Sequence, residues 1–308
     1  MTKNVIALDI GGTKTALGLV NEKYEVSSAT EVAVKGNPHF WEEISAAVQD
    51  LREIAGEEFV GVGIGSAGPL HLQTGEISPV NIPSWRHFPI VTHIQALTGS
   101  KNVVLHGDAM ALAHAEYLLG AGRGTQNMMG MVISTGIGGG LVLNGQLFMG
   151  ETGNVSYIGH HTINFDGIEC ACGRRGCVET YASGPRMVAI AQERGWSDGA
   201  TFIDLAESAR QGNTQALQAI DEGAQALAIG IVNTIGSLDI RTVVIGGGVV
   251  QSGPIYWDCL IEHCAIQVRT TGFIEKVDLR QAELKRNAGI IGAALGILDT
   301  VARDTSGK

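Results

Sequence analysis

VIALDIGGTKTALGLV, running from Val5 to Val20, decides how the rest of the chain is read. Two apolar runs flank Gly11-Gly12-Thr13-Lys14, and runs of this kind around a Gly-Gly turn predict a β-hairpin. Asp9 closes the first run just before the turn. With no Cβ at Gly11 or Gly12, the backbone can come close to a ligand's oxygens, while Thr13 adds a hydroxyl and Lys14 a charge. A carboxylate beside a polyphosphate is repelled unless a cation lies between them. Mg²⁺ commonly takes one or two carboxylates together with phosphates, which makes Asp9 a candidate Mg²⁺ partner.

The pattern recurs downstream. Met128 to Ile133 reads as a buried strand, Gly140 to Leu143 as its hairpin partner, and STGIGGG (Ser134 to Gly140) as the turn between them. Ser134, Thr135, Gly136 and Gly138 would form a second phosphate cradle from hydroxyls and backbone N–H groups. A third glycine turn, Gly246-Gly247-Gly248, follows the strand Thr242 to Ile245, and Gly247 and Gly248 there would suit a flat nucleoside. None of the three is a GxxxxGK[ST] loop. Their weight lies in three glycine turns, each at a strand end, in one chain.

Other strands are expected at Val60–Ile64, Asn102–Leu105 and Val277–Leu279, and helices at Phe40–Ile54, Ala109–Leu119, Pro185–Arg194, Thr214–Leu238 and Gly289–Val301. Strands alternating with helices give an α/β chain of two halves, each opening on a glycine-turn hairpin. The expected domains are 1–118, with the closing helix in 287–308 packing back on it, and 119–286.

The 308 residues suit two domains better than one. They carry 31 acidic against 21 basic side chains, a net charge of −10, which argues against a nucleic-acid partner because such binding needs a basic face. No apolar run approaches the roughly 18–20 residues of a membrane span, and MTKNVIALDI does not read as an export leader, so a cytoplasmic protein with no membrane partner is expected. The cysteines agree. Cys170, Cys172 and Cys177 lie in ECACGRRGCVE, and in a cytoplasmic chain that clustering points to metal rather than disulfides. Three thiolates with His160, or with the adjacent His161, would fill a tetrahedral Zn²⁺ and make the site structural. Cys259 and Cys264 read as buried, inert thiols.

LDIGGTK, GIGSAGPL, NIPSW, STGIGGG, IGHH, CACGRRGCVETYASGP and IGGGVV resemble, in order and spacing, the ROK family of bacterial sugar kinases and repressors. The resemblance implies an actin-like (hexokinase/RNase H-like) ATPase fold, with two α/β domains around a cleft. It implies ATP-dependent phosphorylation of a hexose or N-acetylhexosamine hydroxyl, the 6-hydroxyl by family habit, with polyphosphate as a rival donor. Asp108 takes the place of the catalytic base. Asn81, Glu179 and His160 match sugar-contacting residues, and His160 matches the zinc ligand as well; Ser66, Ala67 and Gly68 of GIGSAGPL line the same sugar site. A homodimer is implied too. The repressors' extra DNA-binding domain precedes the first glycine turn, and with Asp9 so near the start none is expected here.

Two positions depart from the family pattern. Gly107 stands where Asn usually precedes the catalytic Asp, and Tyr157 in VSYIGH stands where an AGEIGH-type segment has Glu. Both usual residues touch sugar hydroxyls. The pocket should therefore hold glucose less well or prefer another sugar, an amino sugar being one choice. A non-catalytic or altered-specificity sugar-binding protein is the alternative.

Overall fold

The computed structural model describes residues 2–34 and 36–306. The chain divides into two compact units: Met1–Gly120, Leu147–Val155 and Leu284–Lys308 form the first, and Ala121–Gln146 with Ser156–Glu283 the second.

In the first unit, β1 (Asn4–Ile10) and β2 (Lys14–Asn21) form the expected hairpin, paired from Asn4–Asn21 to Ile10–Thr15. The strand β3 (Val26–Ala33) follows, then helix α1 (Phe40–Ala55) and strand β4 (Phe59–Ser66). A small pair, β5 (Leu70–His71) and β6 (Glu76–Ile77), precedes α2 (Ile90–Thr98), β7 (Val103–Gly107) and α3 (Asp108–Leu119). The sheet order is β3-β2-β1-β4-β7, with β4 and β7 parallel to β1.

Strand parity sends alternate residues of β1 to opposite faces. Ile6, Leu8 and Ile10 pack with Phe40, Ile44, Val48, Ile90 and Ile94 of α1 and α2. Val5 and Ala7 meet Ile290, Ala293, Ala294 and Ile297 instead.

The second unit repeats the plan. β8 (Met128–Ile133) pairs antiparallel with β9 (Ile137–Leu143), and β10 (Gln146–Phe148) lies at the edge. A cysteine-rich loop leads into α4 (Glu179–Ala182), α5 (Gly184–Glu193), α6 (Phe202–Arg210) and α7 (Thr214–Leu238). Then come β11 (Thr242–Gly246), α8 (Gly248–Gln251), α9 (Pro254–Thr271) and β12 (Asp278–Gln281). The order β10-β9-β8-β11-β12, with β11 parallel to both β8 and β12, mirrors the first sheet. Each half is thus a hairpin extended by parallel strands, the actin-like α/β arrangement that the sequence leads one to expect.

The last helix, α10 (Ala288–Ser306), returns to the first unit. It lies so close to β4 that a Cβ on Gly63 would sit 1.9 Å from the Ala293 carbonyl oxygen. Some of the chain's glycine therefore serves backbone packing rather than ligand approach.

Two expectations shift. The block 119–286 is interrupted, because Leu147–Val155 packs with the first unit: the Asn154 side chain accepts from Leu70 N at 2.9 Å and donates to Leu70 O at 2.8 Å. Cys264 is buried, but Cys259 is only partly so, and its thiol donates to Asp221 Oδ1 at 3.3 Å. It is not an inert core residue.

Candidate active site and metal centre

In parallel α/β sheets ligands gather at the carboxyl ends of the strands. In the first unit that end carries Asp9 on β1, Ser66-Ala67-Gly68 where β4 ends, and Gly107-Asp108 where β7 ends. Ala67 N donates to Ile10 O at 3.0 Å, which ties the β4 loop to the glycine turn. Asn81 lies over that turn: a Cβ on Gly12 would come within 2.6 Å of Asn81 Nδ2. The first-unit candidates for sugar and phosphate therefore converge.

Lys14 is engaged elsewhere. Its ammonium pairs with Glu31 on β3, and both side chains are about half exposed. Thr13 is exposed, and its carbonyl accepts from Val34 N.

The two carboxyls dominate the electrostatics. Asp9 is pushed up to about 7 by burial and then by the charge of Asp108, with Lys14 opposing. Asp108 is also raised by burial, against a 2.7 Å hydrogen bond donated by Ala109 N to Oδ1. A pair of acids held this way favours either a proton or a cation between them. The donor set suits Mg²⁺, a hard ion that prefers carboxylate oxygen and water. The room for Asp9 is made by α10, since a Cβ on Gly289 would lie 2.0 Å from Asp9 Oδ2. Beyond Gly107, a Cβ would meet Met110 at 3.5 Å, an ordinary contact, so a side chain fits there.

In the second unit the turns after β8 and β11 are neighbours. A Cβ on Gly247, whose φ is +102°, would lie 2.2 Å from Ile133 O at the end of β8. Ser134 and Thr135 are exposed in the tight turn closed by Ser134 N donating to Gly136 O at 2.9 Å. The cradle is shorter than its sequence suggested: Gly138 is not in the turn but in β9, opposite Val132, because the hairpin ladder begins at Ile137. Gly248 is exposed at the start of α8. Glu179 joins this group unexpectedly, as its Oε2 accepts from Ile137 N at 2.7 Å and would stand 2.8 Å from a Cβ on Gly136. That contact spans 42 residues, and no local pattern announces it.

The cysteine loop folds into a four-ligand cage. His160 Nδ1 lies 3.6 Å from Cys170 Sγ, and Cys172 Sγ lies 3.7 Å from Cys177 Sγ. All four ligand atoms fall within 4.8 Å of one another. A tetrahedral Zn²⁺ with bonds of ~2.3 Å to sulfur and ~2.0 Å to nitrogen needs S···S edges of about 3.8 Å and S···N edges of about 3.5 Å. The two measured separations match, and the residues fit zinc. A turn with Gly173 at φ +87° and a 2.9 Å bond from Gly173 N to Cys170 O bends the chain around the cage. Burial and the neighbouring thiols push Cys177 up to about 12. His161 is outside the set; burial, Arg174 and His160 lower it.

Just before the cage, Tyr157 stacks on His160 with ring centres 6.0 Å apart. Ser156 holds a left-handed φ of +60°, and its buried hydroxyl has no hydrogen-bond partner among the described residues.

Comparison with known proteins adds five likenesses. The model of the ROK family matches residues 5–299. A glucokinase of Streptomyces coelicolor is 31% identical over 306 residues, covering 94% of this chain and 96% of that protein. An N-acetylmannosamine kinase of Yersinia pestis is 31% identical over 296 residues, covering 94% and 97%. Among solved structures, a ROK hexokinase from Thermus thermophilus superposes with a TM-score of 0.84 at 33% identity, covering 97% of this chain and 99% of that one. A ROK family glucokinase from Streptomyces griseus in complex with glucose and AMPPNP gives 0.83 at 31%, covering 96% and 99%.

Proposed function

This chain belongs to the ROK family, and from that membership and the site geometry we propose that it is an ATP-dependent sugar kinase acting on a hexose or N-acetylhexosamine. The observation that carries the reading is the pair of neighbouring acids at the ends of β1 and β7, Asp9 and Asp108, the charge of the second raising the first. Catalysis of phosphoryl transfer is mostly positioning and electrostatics, with one group needed to take the hydroxyl proton. Asp108 is that group. Its carboxylate accepts the proton as the sugar oxygen, the 6-hydroxyl in this reading, attacks the γ-phosphorus. Burial raises its proton affinity toward the working pH, which suits a general base.

Asp9 would hold Mg²⁺, which supplies charge neutralisation to the triphosphate when bound. In the first unit the backbone of Gly11 and Gly12 would bind phosphate oxygens; in the second, the Ser134 and Thr135 hydroxyls would do the same, and Gly247 and Gly248 would border the nucleoside. Sugar hydroxyls fall to Asn81, Glu179, His160 and the Ser66-Ala67-Gly68 turn. The Cys170, Cys172, Cys177 and His160 cage would hold a structural Zn²⁺. It braces the loop that delivers both His160 and Glu179. Gly107 and Tyr157 replace polar sugar contacts by open space and an aromatic face, which favours a substrate with an apolar substituent such as an acetamido group. A cytoplasmic homodimer is part of the same reading. No described helix is long and apolar enough to cross a membrane.

A coupled ADP-release assay over a panel of glucose, mannose, N-acetylglucosamine and N-acetylmannosamine, with ATP and with polyphosphate, tests this. One sugar should raise turnover well above background, and Asp108→Asn should remove that turnover while leaving sugar binding. Sugar binding without turnover from any donor would instead establish a non-catalytic binding protein.

A further inference from the structure

A second group of metal-ligating side chains shares no residue with the cysteine cage or with the proposed sugar and nucleotide sites. Asp221 projects from α7, and Cys259 and His263 from α9. Residues four apart on a helix share one face, so the last two present sulfur and nitrogen side by side. Asp221 Oδ1 lies 3.3 Å from Cys259 Sγ and 2.8 Å from His263 Nε2. The three ligand atoms all fall within 4.8 Å of one another.

We propose that Asp221, Cys259 and His263 form a second transition-metal site, distinct from the cysteine cage, that staples α7 to α9. The donors are one thiolate, one imidazole and one carboxylate, a mixed set that suits Zn²⁺ and its neighbours rather than Mg²⁺ or Ca²⁺. Tetrahedral Zn²⁺ sets these edges at about 3.6 Å for S···O and about 3.4 Å for N···O. The present hydrogen-bonded separations are shorter by roughly 0.3–0.6 Å, a gap that side-chain rotation covers. Asp221 is free to make that movement, since its side chain is 58% exposed, whereas His263 at 13% is held.

The setting of Cys259 is unlike that of its neighbour. Cys264 is fully buried as an apolar residue, but Cys259 reaches a solvent-facing carboxylate beside an imidazole. On binding, the Cys259 S–H proton passes to solvent and a sulfur–metal bond forms. His263 offers its Nε2 lone pair with the proton on Nδ1, and Asp221 exchanges two hydrogen bonds for one metal bond. Three protein ligands leave the fourth position to water, so this ion exchanges more readily than one enclosed by four residues.

The test uses the full chain, stripped with chelator and titrated with Co²⁺. Bound metal is counted after gel filtration, and thiolate-to-cobalt absorption is followed throughout. Wild type should take two equivalents, the second more weakly. Cys259→Ser and His263→Ala should each lose the weaker equivalent, and Cys259→Ser should also lose its share of the thiolate absorption. Cys172→Ser should disturb only the tighter phase. Equal stoichiometry and equal absorption in wild type, Cys259→Ser and His263→Ala, all with unchanged far-ultraviolet dichroism, would overturn the proposal.

Discussion

Replacing Asp9 by Asn should make the ligand-free protein more stable above neutral pH while removing phosphoryl transfer. The Asp9 carboxyl titrates near 7 instead of its ordinary 3.8, because burial strips water from the anion and Asp108 repels it. At about 1.4 kcal/mol per pKa unit, keeping that anion in the folded state costs on the order of 4 kcal/mol. The sign follows from proton counts. Between pH 3.8 and about 7 the folded state keeps a proton that the unfolded chain has released. Stability is therefore highest below 3.8, falls through that window and levels off above it. Asn has no proton to lose. The advantage of Asp9→Asn should grow by about 2 kcal/mol between pH 5.5 and 8.5 and reach its plateau just above 7. Urea unfolding of both proteins at pH 5.5, 6.5, 7.5 and 8.5 measures the difference, in which the titration of groups remote from Asp9 cancels. Mg²⁺ with ADP should then raise the midpoint of wild type at pH 8.5 but hardly that of the variant. A stability difference that does not vary with pH would refute the reasoning, since it would place the Asp9 carboxyl in water like any surface acid.

Gly107→Asn combined with Tyr157→Glu should raise kcat/KM for glucose by roughly 30–150-fold, the worth of two added hydrogen bonds of about 1–1.5 kcal/mol each, as a sugar-panel assay would show. An unchanged sugar profile would remove these positions from the pocket. Ser156→Gly should raise stability by about 1–2 kcal/mol by relieving a left-handed backbone and a buried unpaired hydroxyl, and thermal melting reads this as a gain of a few degrees. Cys172→Ser should cost the cage its zinc, seen in metal analysis as the loss of about one tightly held ion per chain, and should lower the melting midpoint by at least ~5 °C. A full-strength melt with no tightly held zinc in wild type would contradict the structural role.

The α/β class and both hairpins were legible because β1, β2, β8 and β9 carry near-continuous apolar runs broken only by glycine turns. The strand β3 (VSSATEVA) was not. It is an exposed edge whose side chains are mostly polar, so no alternation marks it. Helix α6 was missed although Thr201 and Asp204 form a capping box at its start, a signal that the sequence does carry. The cage was readable from C-x-C-x4-C and its histidine, since ligand spacing within one loop is a local property. The contact of Glu179 with Ile137 N and the grouping of Asp221 with Cys259 and His263 were not, because each joins residues about 40 positions apart through the packing of whole elements. The end of the second glycine turn was misplaced for a related reason. Glycines read alike in a turn and in a strand, and only the pairing with β8 assigns Gly138 to the ladder.

The return of α10 to the first unit also has a temporal side. Val5, Ala7 and Val20 leave the ribosome about 270–290 residues before Ile290, Ala293, Ala294 and Ile297 that cover them. At about 5–20 residues per second, one face of the first sheet stays uncovered for roughly 14–60 s of synthesis. The second unit, built almost entirely from 121–283, has its whole sequence in hand before that face is sealed. The second unit therefore has the chance to close before the first sheet is covered on both faces.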